Sequence, residues 1–346
     1  MAKLEAALVT YALKLTVSQG YGFASLPDEP VTPHTLFQGA STTKSFTASL
    51  TALLVDDTGN YSYVDWTTRL HDLVGNDFVL RDSYATEHIN FLDALSHRTG
   101  MPRHDTVWLN QDIDVRGEAY ALRYLPASAE FRTKWQYCNL MFTCVSHVIQ
   151  TLTGLWQGDL LRQWLWEPLG MNETYYSYED AFTCENTNPQ CKMASSYMWD
   201  NETSGFHRIG FESYHPANGA GGVISNVLDY SRWVRALMYE SGPVSKAGHE
   251  QLKTPHSLEA VEKEPYTGPL WYGMGLDGGI YRGQRVFGHN GAIGGYWSAF
   301  KFLPELKFGF VIFQNAPGFI MEIAGWRLID EFLGIPEKDY TDMNQT

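Results

Sequence analysis

The sequence has 346 residues, of which 44% are hydrophobic and 14% aromatic, and its formal net charge is −14. A chain of this length can bury a large core, and a charged fraction of only 18% argues against a long disordered tract. The acidic balance disfavours nucleic acids and anionic membranes as partners, because neither attracts a negative surface.

In chain order, strands are predicted first and a helix follows. Residues 7–24 alternate loosely between apolar and polar side chains, which predicts one or two strands, and the turn-rich residues 27–33 connect them to the next element. From Ser41 the period becomes helical, and Gly59 is the expected C-cap of that helix. The apolar side chains at helical spacing are Phe46, Leu50, Leu53 and Leu54.

The middle of the chain predicts further helices. Apolar side chains recur at helical spacing over residues 141–152, closed by Gly154, and over residues 156–165, closed near Gly170. Ser225 is the expected N-cap of a later helix, whose apolar side chains are Leu228, Trp233 and Leu237.

The last third of the chain changes to strands. Residues 284–289, 296–303 and 308–314 are short, apolar and partly alternating, and residues 321–333 then predict a helix. Strands at both ends with helices between them predict an α+β fold. We expect an α/β sandwich with one antiparallel sheet built from both ends of the chain and a helical lobe inserted between them.

This pattern predicts a single domain over residues 1–346. The sheet lobe would take residues 1–40 and 240–335, the mostly helical lobe residues 41–239, and residues 336–346 would form a polar tail. A pocket where two lobes meet is a common place for a ligand site.

The four cysteines are too few for a disulfide scaffold. Cys184 and Cys191 flank a short polar loop and could be bridged, although we expect two free thiols, whereas Cys138 and Cys144 lie in an apolar stretch typical of a core. No apolar run has the length of a membrane span, and residues 1–5 lack the features of a secretory signal. These observations favour a cytoplasmic location.

Ser41 and Lys44 form a Ser-x-x-Lys motif at the start of a predicted helix. Residues three apart on a helix share one face, so the lysine amine can reach the serine hydroxyl. A serine is a poor nucleophile until a neighbour takes its proton, which a lysine can do once burial lowers its pKa. Alone, the motif is weak and is more typical of a capping serine followed by a solvated lysine.

Two more segments carry side chains suited to the same chemistry. Tyr137 and Asn139 lie two apart before a predicted helix, where an extended backbone would point both to one side. The tyrosine could act as a general base and the amide could hold the lysine or a substrate carbonyl. His289 and Gly291 end a predicted strand, where the histidine could donate to a pocket and the glycine would admit a substrate. Alone, the first segment is more typical of a core tyrosine with an N-capping Asn, and the second is also typical of a histidine in a Gly-rich turn.

Taken in order, these motifs resemble those of the serine β-lactamase and penicillin-binding-protein superfamily, in its class C-like branch of esterases, D-amino-acid peptidases and acyltransferases. The resemblance runs along nearly the whole chain and implies a β-lactamase/transpeptidase-like fold. The segments that carry it are residues 37–48, 95–102, 137–139, 219–225 and 288–292.

The resemblance implies a role for each catalytic residue. Ser41 would attack the carbonyl carbon of an ester or amide, while Lys44 and Tyr137 remove and return the proton. Asn139 would help to position Lys44 and the substrate. The backbone N–H groups of Ser41 and Ala292 would form an oxyanion hole, in which a donor is typically worth about 3 kcal/mol.

His289 stands where class C β-lactamases have a lysine that holds the substrate carboxylate. The resemblance therefore argues against efficient penicillin hydrolysis and for esterase-like or peptidase-like activity. We expect His289 to contact Tyr137 or the substrate, Gly291 and Ala292 to contact the substrate, and Trp297 to line an aromatic acyl pocket.

The sequence predicts no metal site and no cofactor, because His97, His104 and Asp105 are not spaced as metal ligands and are expected to hold a loop. The favoured function is a serine hydrolase of a small hydrophobic metabolite, acting through an acyl-Ser41 intermediate. The alternatives are an acyltransferase with the same intermediate, and a non-hydrolytic isomerase, cyclase or binding protein that reuses the pocket. The partner is a small-molecule substrate, and a homo-oligomer is left open.

Overall fold

The computed structural model of the chain describes residues 7–12, 15–109, 113–211 and 218–343. The strands in these ranges are β1 (Ala7–Ala12), β2 (Leu15–Gly20), β3 (Phe23–Ser25), β4 (Glu29–Pro30), β5 (Phe37–Gln38), β6 (Ser196–Asp200), β7 (Gly205–Ile209), β8 (Ile224–Ser225), β9 (Ser257–Ala260), β10 (Leu270–Tyr272), β11 (Asp277–Tyr281), β12 (Gln284–Ile293), β13 (Tyr296–Leu303) and β14 (Phe308–Gln314).

The helices lie mainly between the two groups of strands. They are α1 (Lys44–Asp56), α2 (Leu70–Val74), α3 (Ser83–His88), α4 (Phe91–Leu95), α5 (Val115–Ala121), α6 (Asn139–Thr153), α7 (Gln157–Leu160), α8 (Glu167–Leu169), α9 (Tyr178–Thr187), α10 (Asn218–Gly221), α11 (Val227–Tyr239), α12 (Lys246–Lys253) and α13 (Ile320–Phe332). None of the helices in the described ranges is both long enough and apolar enough to cross a membrane.

One antiparallel sheet of eight strands joins the two ends of the chain, in the order β2-β1-β14-β13-β12-β11-β10-β9. The junction is the pairing of β1 with β14, in which Val9 lies opposite Val311. The expected α+β fold with a sheet built from both ends is therefore confirmed.

The central strands β13 and β14 are buried on both faces, which explains why they are apolar runs with little alternation. Along β14, Phe310 and Ile312 join a core cluster with Trp326 of α13. The intervening residues Val311 and Phe313 point to the other face and join the larger core that includes α1, α6 and α11.

Three expected local features differ from the structure. Gly59 is not the C-cap of α1, because the helix ends at Asp56 and the carboxylate of Asp57 accepts the N–H groups of Gly59 and Asn60 in a turn. Ser225 is not the N-cap of α11, because it lies in β8 and pairs with Phe37 of β5. The next residue, Asn226, caps the helix, and its side-chain oxygen accepts the N–H of Asp229. The strand predicted to end at residue 289 continues as β12 to residue 293.

The expectation of two free thiols at Cys184 and Cys191 is wrong. A disulfide joins them, because the end of α9 and the following turn bring their Cα atoms to 5.9 Å, within the range that a disulfide requires. Disulfides persist mainly in oxidising compartments, which bears on the expected cytoplasmic location. Cys138 and Cys144 are free and buried.

Candidate active site

Ser41 lies in a tight 3-10 turn, Ala40–Thr43, that leads directly into α1. Two hydrogen bonds at Gly39 hold the turn in place. The Gly39 N–H donates to the Val223 carbonyl over 2.7 Å, and the Thr42 hydroxyl donates to the Gly39 carbonyl over 2.7 Å. Ala40 has φ of +47°, a left-handed conformation that is strained for a residue with a Cβ. Such strain next to a half-buried hydroxyl that lines a pocket is typical of a functional turn.

Lys44, with 0% of its surface exposed, contacts Ser41, the predicted nucleophile. Its Nζ donates to Ser41 Oγ over 3.1 Å and to the Ala220 carbonyl over 2.8 Å. It also lies 4.8 Å from the centre of the Tyr137 ring. Burial, and secondly the positive charge of Arg103, hold the pKa of Lys44 well below its usual value. The amine is therefore suited to accept a proton from Ser41.

Tyr137 lines the same pocket as Ser41, and the Ser41 hydroxyl influences the pKa of its phenol. Burial raises the pKa of this tyrosine, and the hydrogen bond from Ser41 opposes the rise only in part. The phenol is therefore neutral at neutral pH. Tyr137 and Lys44 thus present one protonated hydroxyl and one easily deprotonated amine to the same serine.

Asn139 is placed at the first turn of α6, close to Tyr137, but its amide does not bond to Lys44. Its Nδ2 donates to Asp105 Oδ1 over 3.1 Å, and Asp105 also accepts from Arg103 over 2.5 Å. The Arg103 guanidinium in turn lies 4.9 Å from the centre of the Tyr137 ring. The structure thus places Asn139 in a network that supports the tyrosine segment from the loop before it.

His289 faces the site from β12 and bonds to Tyr272, a neighbour that the sequence analysis missed. Its Nδ1 lies 2.6 Å from the Asn290 carbonyl and must donate there, so its Nε2 accepts from the Tyr272 hydroxyl over 2.9 Å. Burial, and secondly the charge of Lys44, lower the pKa of His289 to about 3. The imidazole is therefore neutral, and the distance of 6.3 Å between its ring centre and that of Tyr137 leaves the two rings as neighbours only.

Gly291 lies where β12 passes the nucleophile most closely. A Cβ at this position would lie 2.5 Å from the Gly39 carbonyl oxygen and 2.9 Å from the Ser41 nitrogen. Only glycine fits without moving one of these backbones. The Ser298 hydroxyl donates to the same Gly39 carbonyl over 2.6 Å and joins β13 to the turn. Ala292 follows on β12, opposite Trp297 of β13.

These side chains surround one pocket with a volume of about 320 Å³. It brings together all the predicted site residues except Lys44 and Asn139, which lie behind the pocket wall. Its lining is Ser41, Arg103, Trp135, Tyr137, Glu259, Lys263, Asp277, His289, Asn290, Gly291, Ala292, Trp297, Met321 and Glu322. No group of three or more His, Cys, Asp or Glu side chains in the described part of the chain could hold a metal ion.

His97, which we expected to hold a loop, lies directly behind the tyrosine. Its Nδ1 accepts the backbone N–H of Cys138 over 3.0 Å, and its ring centre lies 4.3 Å from that of Tyr137. Burial, and secondly Lys44, lower its pKa, so the ring is neutral and can accept that bond. The sequence placed His97 in a loop of the resembling family but gave no sign that the loop contacts residue 137.

Comparisons with known proteins show the family to which the chain belongs. A family model described as Beta-lactamase matches residues 5–332. The chain is 36% identical over 340 residues to an unguisins hydrolase of Aspergillus campestris, and this match covers 95% of the chain and 62% of the relative. An unguisins hydrolase of Aspergillus violaceofuscus is 35% identical over 353 residues, with the same coverage of 95% and 62%. The chain therefore spans less than two thirds of the length of these relatives.

Solved structures show the same fold. The octameric penicillin-binding protein homologue from Pyrococcus abyssi superposes with a TM-score of 0.84 at 21% identity, covering 98% of this chain and 76% of that one. The D-amino acid amidase from Ochrobactrum anthropi superposes with a TM-score of 0.75 at 21% identity, covering 96% and 92%. The expected β-lactamase/transpeptidase-like fold is confirmed by these superpositions.

Proposed function

This chain belongs to the Beta-lactamase family, and within that family we propose that it is a serine hydrolase that cleaves an ester or amide of a small hydrophobic metabolite through an acyl-Ser41 intermediate. The observation that carries the proposal is the hydrogen bond of 3.1 Å between the buried Lys44 amine and Ser41 Oγ. A buried lysine with no carboxylate bonded to it, next to an accessible serine, is the arrangement that activates a hydroxyl nucleophile.

In the proposed acylation step, Ser41 Oγ attacks the substrate carbonyl carbon while its proton moves to the neutral Lys44 Nζ. The lowered pKa of Lys44 keeps part of the amine neutral at physiological pH, whereas the raised pKa of Tyr137 keeps the phenol protonated. These directions favour Lys44 as the first proton acceptor and Tyr137 as a donor. The two groups titrate as a coupled pair, so a pH profile reports on both.

The tetrahedral intermediate carries a negative oxygen, which the backbone N–H groups of Ser41 and Ala292 would stabilise. The close approach of β12 to the nucleophile turn at Gly291 supports this arrangement, because it brings the two segments together. As the C–O or C–N bond breaks, the Tyr137 hydroxyl would give its proton to the leaving group and recover one from Lys44. Water then attacks the acyl-enzyme by the same path and releases the acid and free Ser41.

The electrostatics of the pocket argue against a substrate held by a carboxylate. His289 is neutral, with a pKa lowered to about 3, and therefore cannot act as the fixed cation that a lysine would supply. Arg103 is already paired with Asp105. Trp135, Trp297 and Met321 line the same pocket and supply apolar surface for an acyl group. Cleavage of an unguisin-like amide is supported by the names of the two relatives at 36% and 35% identity.

The experiment that tests this function is intact-protein mass spectrometry after a short incubation with p-nitrophenyl acetate or butyrate. Wild type should gain one acyl mass that then decays, and Ser41→Ala should gain none. Ser62→Ala, which changes an exposed serine away from the pocket, should behave as wild type. An adduct that persists in Ser41→Ala, or no adduct and no nitrophenol release in wild type, would overturn the proposal. Adding a primary alcohol during deacylation separates acyl transfer from hydrolysis by the product formed.

A further inference from the structure

Three Asn-x-Ser/Thr motifs lie in the part of the chain that the structure describes, and the proposed hydrolysis uses none of them. Their asparagines are Asn60, Asn172 and Asn201, and a fourth motif, at Asn344, lies outside the described residues. Each of the three asparagines is exposed and lies in a turn. This tripeptide is the acceptor for N-linked glycans on the surface turns of secreted proteins. It also occurs by chance, so a second observation must separate a used motif from an unused one.

Asn172 lines a second pocket, which has a volume of about 360 Å³ and which we call the Asn172 pocket. The lining side chains that matter here are Trp156, Arg162, Trp166, Asp180 and Cys184. No residue of the described chain lines both this pocket and the one that holds Ser41. A role for the Asn172 pocket therefore stands apart from the proposed hydrolysis.

The three asparagine side chains differ in their hydrogen bonds. The Asn60 amide donates to Asp57 over 2.9 Å, and the Asn201 amide oxygen accepts from Trp199 over 2.9 Å. The Asn172 amide has no hydrogen-bonding partner within the described ranges. A sugar attached to Asn172 can therefore turn into the pocket without breaking a bond of the fold.

Trp156 gives the Asn172 pocket an apolar surface in a fixed position. Its side chain is 38% exposed and packs against Gly158, where a Cβ would lie only 2.3 Å from the six-membered ring of the indole. The Tyr176 ring contacts it edge-on, with the ring centres 5.6 Å apart. An exposed indole that two neighbours hold in place is a surface on which the C–H face of a sugar ring can stack.

Polar groups surround this apolar surface. Arg162 and Asp180 line the pocket and supply N–H donors and carboxylate acceptors, which match the hydroxyl and acetamido groups of N-acetylglucosamine. Trp166 also lines the pocket and is only 1% exposed, and its indole N–H has no acceptor among the described residues. A buried donor without an acceptor costs free energy, which a sugar oxygen would recover.

The disulfide between Cys184 and Cys191 indicates the compartment, and Cys184 itself lines the Asn172 pocket. Disulfides persist in the lumen of the endoplasmic reticulum, where N-linked glycans are attached. We propose that the chain enters this compartment, in place of the expected cytoplasmic location, and that Asn172 carries an N-linked glycan. The first N-acetylglucosamine of this glycan lies in the Asn172 pocket against Trp156.

The glycan comes from a lipid diphosphate-linked oligosaccharide through an oligosaccharyltransferase. A bond forms between Asn172 Nδ2 and C1 of the sugar, the bond between C1 and the diphosphate oxygen breaks, and the lipid diphosphate leaves while Nδ2 gives up one proton. In the folded chain Thr174 is 6% exposed, and its hydroxyl donates to Asp229 over 3.0 Å. The transferase must therefore act before this turn folds.

The first test determines whether Asn172 is modified. The 346-residue chain would be secreted from yeast behind a secretory leader, and peptide mass spectrometry would follow release of the glycans by peptide-N-glycosidase F in ¹⁸O water. We expect ¹⁸O-labelled aspartate at position 172 and the loss of one glycan from the intact mass in Asn172→Gln. Asn60→Gln and Asn201→Gln are the matched controls and should keep that label. An unlabelled Asn172 in secreted protein with an intact Cys184–Cys191 disulfide would overturn the proposal.

The second test determines where the sugar lies. Endoglycosidase H leaves one N-acetylglucosamine on each modified asparagine, and thermal unfolding then compares the trimmed wild type with trimmed Asn172→Gln. We expect Asn172→Gln to lower Tm by about 2 °C in this protein. The same substitution should leave Tm unchanged in a Trp156→Ala background, because the sugar has lost its surface there. Trp199→Ala, which removes another exposed indole, should keep the difference.

The remaining outcomes decide the position of the sugar. Equal Tm values for trimmed wild type and trimmed Asn172→Gln would overturn the placement in the pocket. A difference that persists in Trp156→Ala would show that the sugar contacts another surface, and would also overturn it. Asn172→Gln in unglycosylated protein from bacteria should leave Tm unchanged, and an equal loss of Tm there would assign the effect to the amide itself and overturn the proposal.

Discussion

Two buried lysines lie close to the same pocket, and their surroundings shift their pKa values in opposite directions. Lys44 is 0% exposed and Lys301 is 6% exposed, so both have lost most of their contact with water. Burial lowers the pKa of Lys44 well below its usual value, with Arg103 as the second cause. The pKa of Lys301 is raised although burial acts against it, because Tyr266, Glu322 and Asp277 favour its charged form.

The two pKa values differ because the two ammonium groups have different neighbours, since both side chains are buried to a similar extent. Lys44 bonds to a hydroxyl and a backbone carbonyl, neither of which carries a full negative charge. Lys301 contacts the Tyr266 hydroxyl over 3.5 Å and has two carboxylates nearby. Around Lys301, attraction to Tyr266 and the carboxylates outweighs desolvation, whereas around Lys44 desolvation outweighs the attraction to Asp105 and Asp277. One lysine is therefore suited to move a proton and the other to hold acidic side chains in place.

The largest expected effect comes from removing the proton acceptor. Lys44→Met should lower kcat/KM for p-nitrophenyl butyrate by about a thousandfold, because Ser41 then loses the group that takes its proton. Steady-state kinetics with the purified variant would measure the change. Lys246→Met, at an exposed site on α12, is the control and should keep wild-type activity. A loss of less than tenfold in Lys44→Met would show that Tyr137 serves as the base without it.

Lys301 should instead matter for stability. Lys301→Met removes the cation among Asp277 and Glu322 and leaves buried negative charge, which typically costs about 3–5 kcal/mol in the free energy of unfolding. Urea unfolding of wild type, Lys301→Met and Lys44→Met would show the contrast directly. Lys44→Met should lose much less stability, since no buried carboxylate depends on it. Equal losses in the two variants would contradict the difference drawn between the lysines.

His97 tests whether the packing around Tyr137 matters for activity, because its ring lies against the Tyr137 ring and accepts the N–H of Cys138. His97→Leu removes the acceptor for the Cys138 N–H and should lower kcat by about tenfold or more with little change in KM, as misplacement of a reacting group does. His97→Asn keeps an acceptor close to the position of Nδ1 and should recover part of the loss. Equal activity of the Leu and Asn variants would argue that the hydrogen bond does not position Tyr137.

Arg103 should have the smallest effect, and it acts on pH dependence. Its charge lowers the pKa of Lys44, so Arg103→Met should raise that pKa and move the acid limb of the kcat/KM profile to higher pH. The Arg103 side chain is 59% exposed, so water and salt screen its charge and the shift should be modest. High salt should move the wild-type limb in the same direction. An acid limb that moves to lower pH in Arg103→Met would contradict this electrostatic account.

Much of the fold was predictable from the sequence, because periodicity reports which faces are buried. The strands that became β13 and β14, the helix α1 after the nucleophile, and the caps at Gly154 and Gly170 agree with their patterns. The errors are local choices between adjacent polar residues, as at Ser225 and Asn226, where either side chain could cap a helix. The disulfide was missed because the spacing of cysteines does not give the distance between their Cα atoms.

The contact between Ser41 and Lys44 was more predictable from the sequence than the rest of the pocket. Ser41 and Lys44 are three residues apart at the start of one helix, so their spacing permits the contact and the order of the motifs indicates it. Tyr272 reaches His289, and Glu259 reaches the same pocket as Glu322, only through the strand order and the position of α13. A single sequence does not contain that register, and these contacts were therefore not predictable.

The pairing of β1 with β14 also determines when during synthesis the eight-stranded sheet can be completed. Residues 7–12 have their partner at residues 308–313, and Ser41 is translated long before β12, the strand that passes it at Gly291. At about 5–20 residues per second, a ribosome needs about 15 to 60 s to make the roughly 300 residues between β1 and β14. For most of that interval the emerging chain carries the Ser41 turn without the strand that passes it.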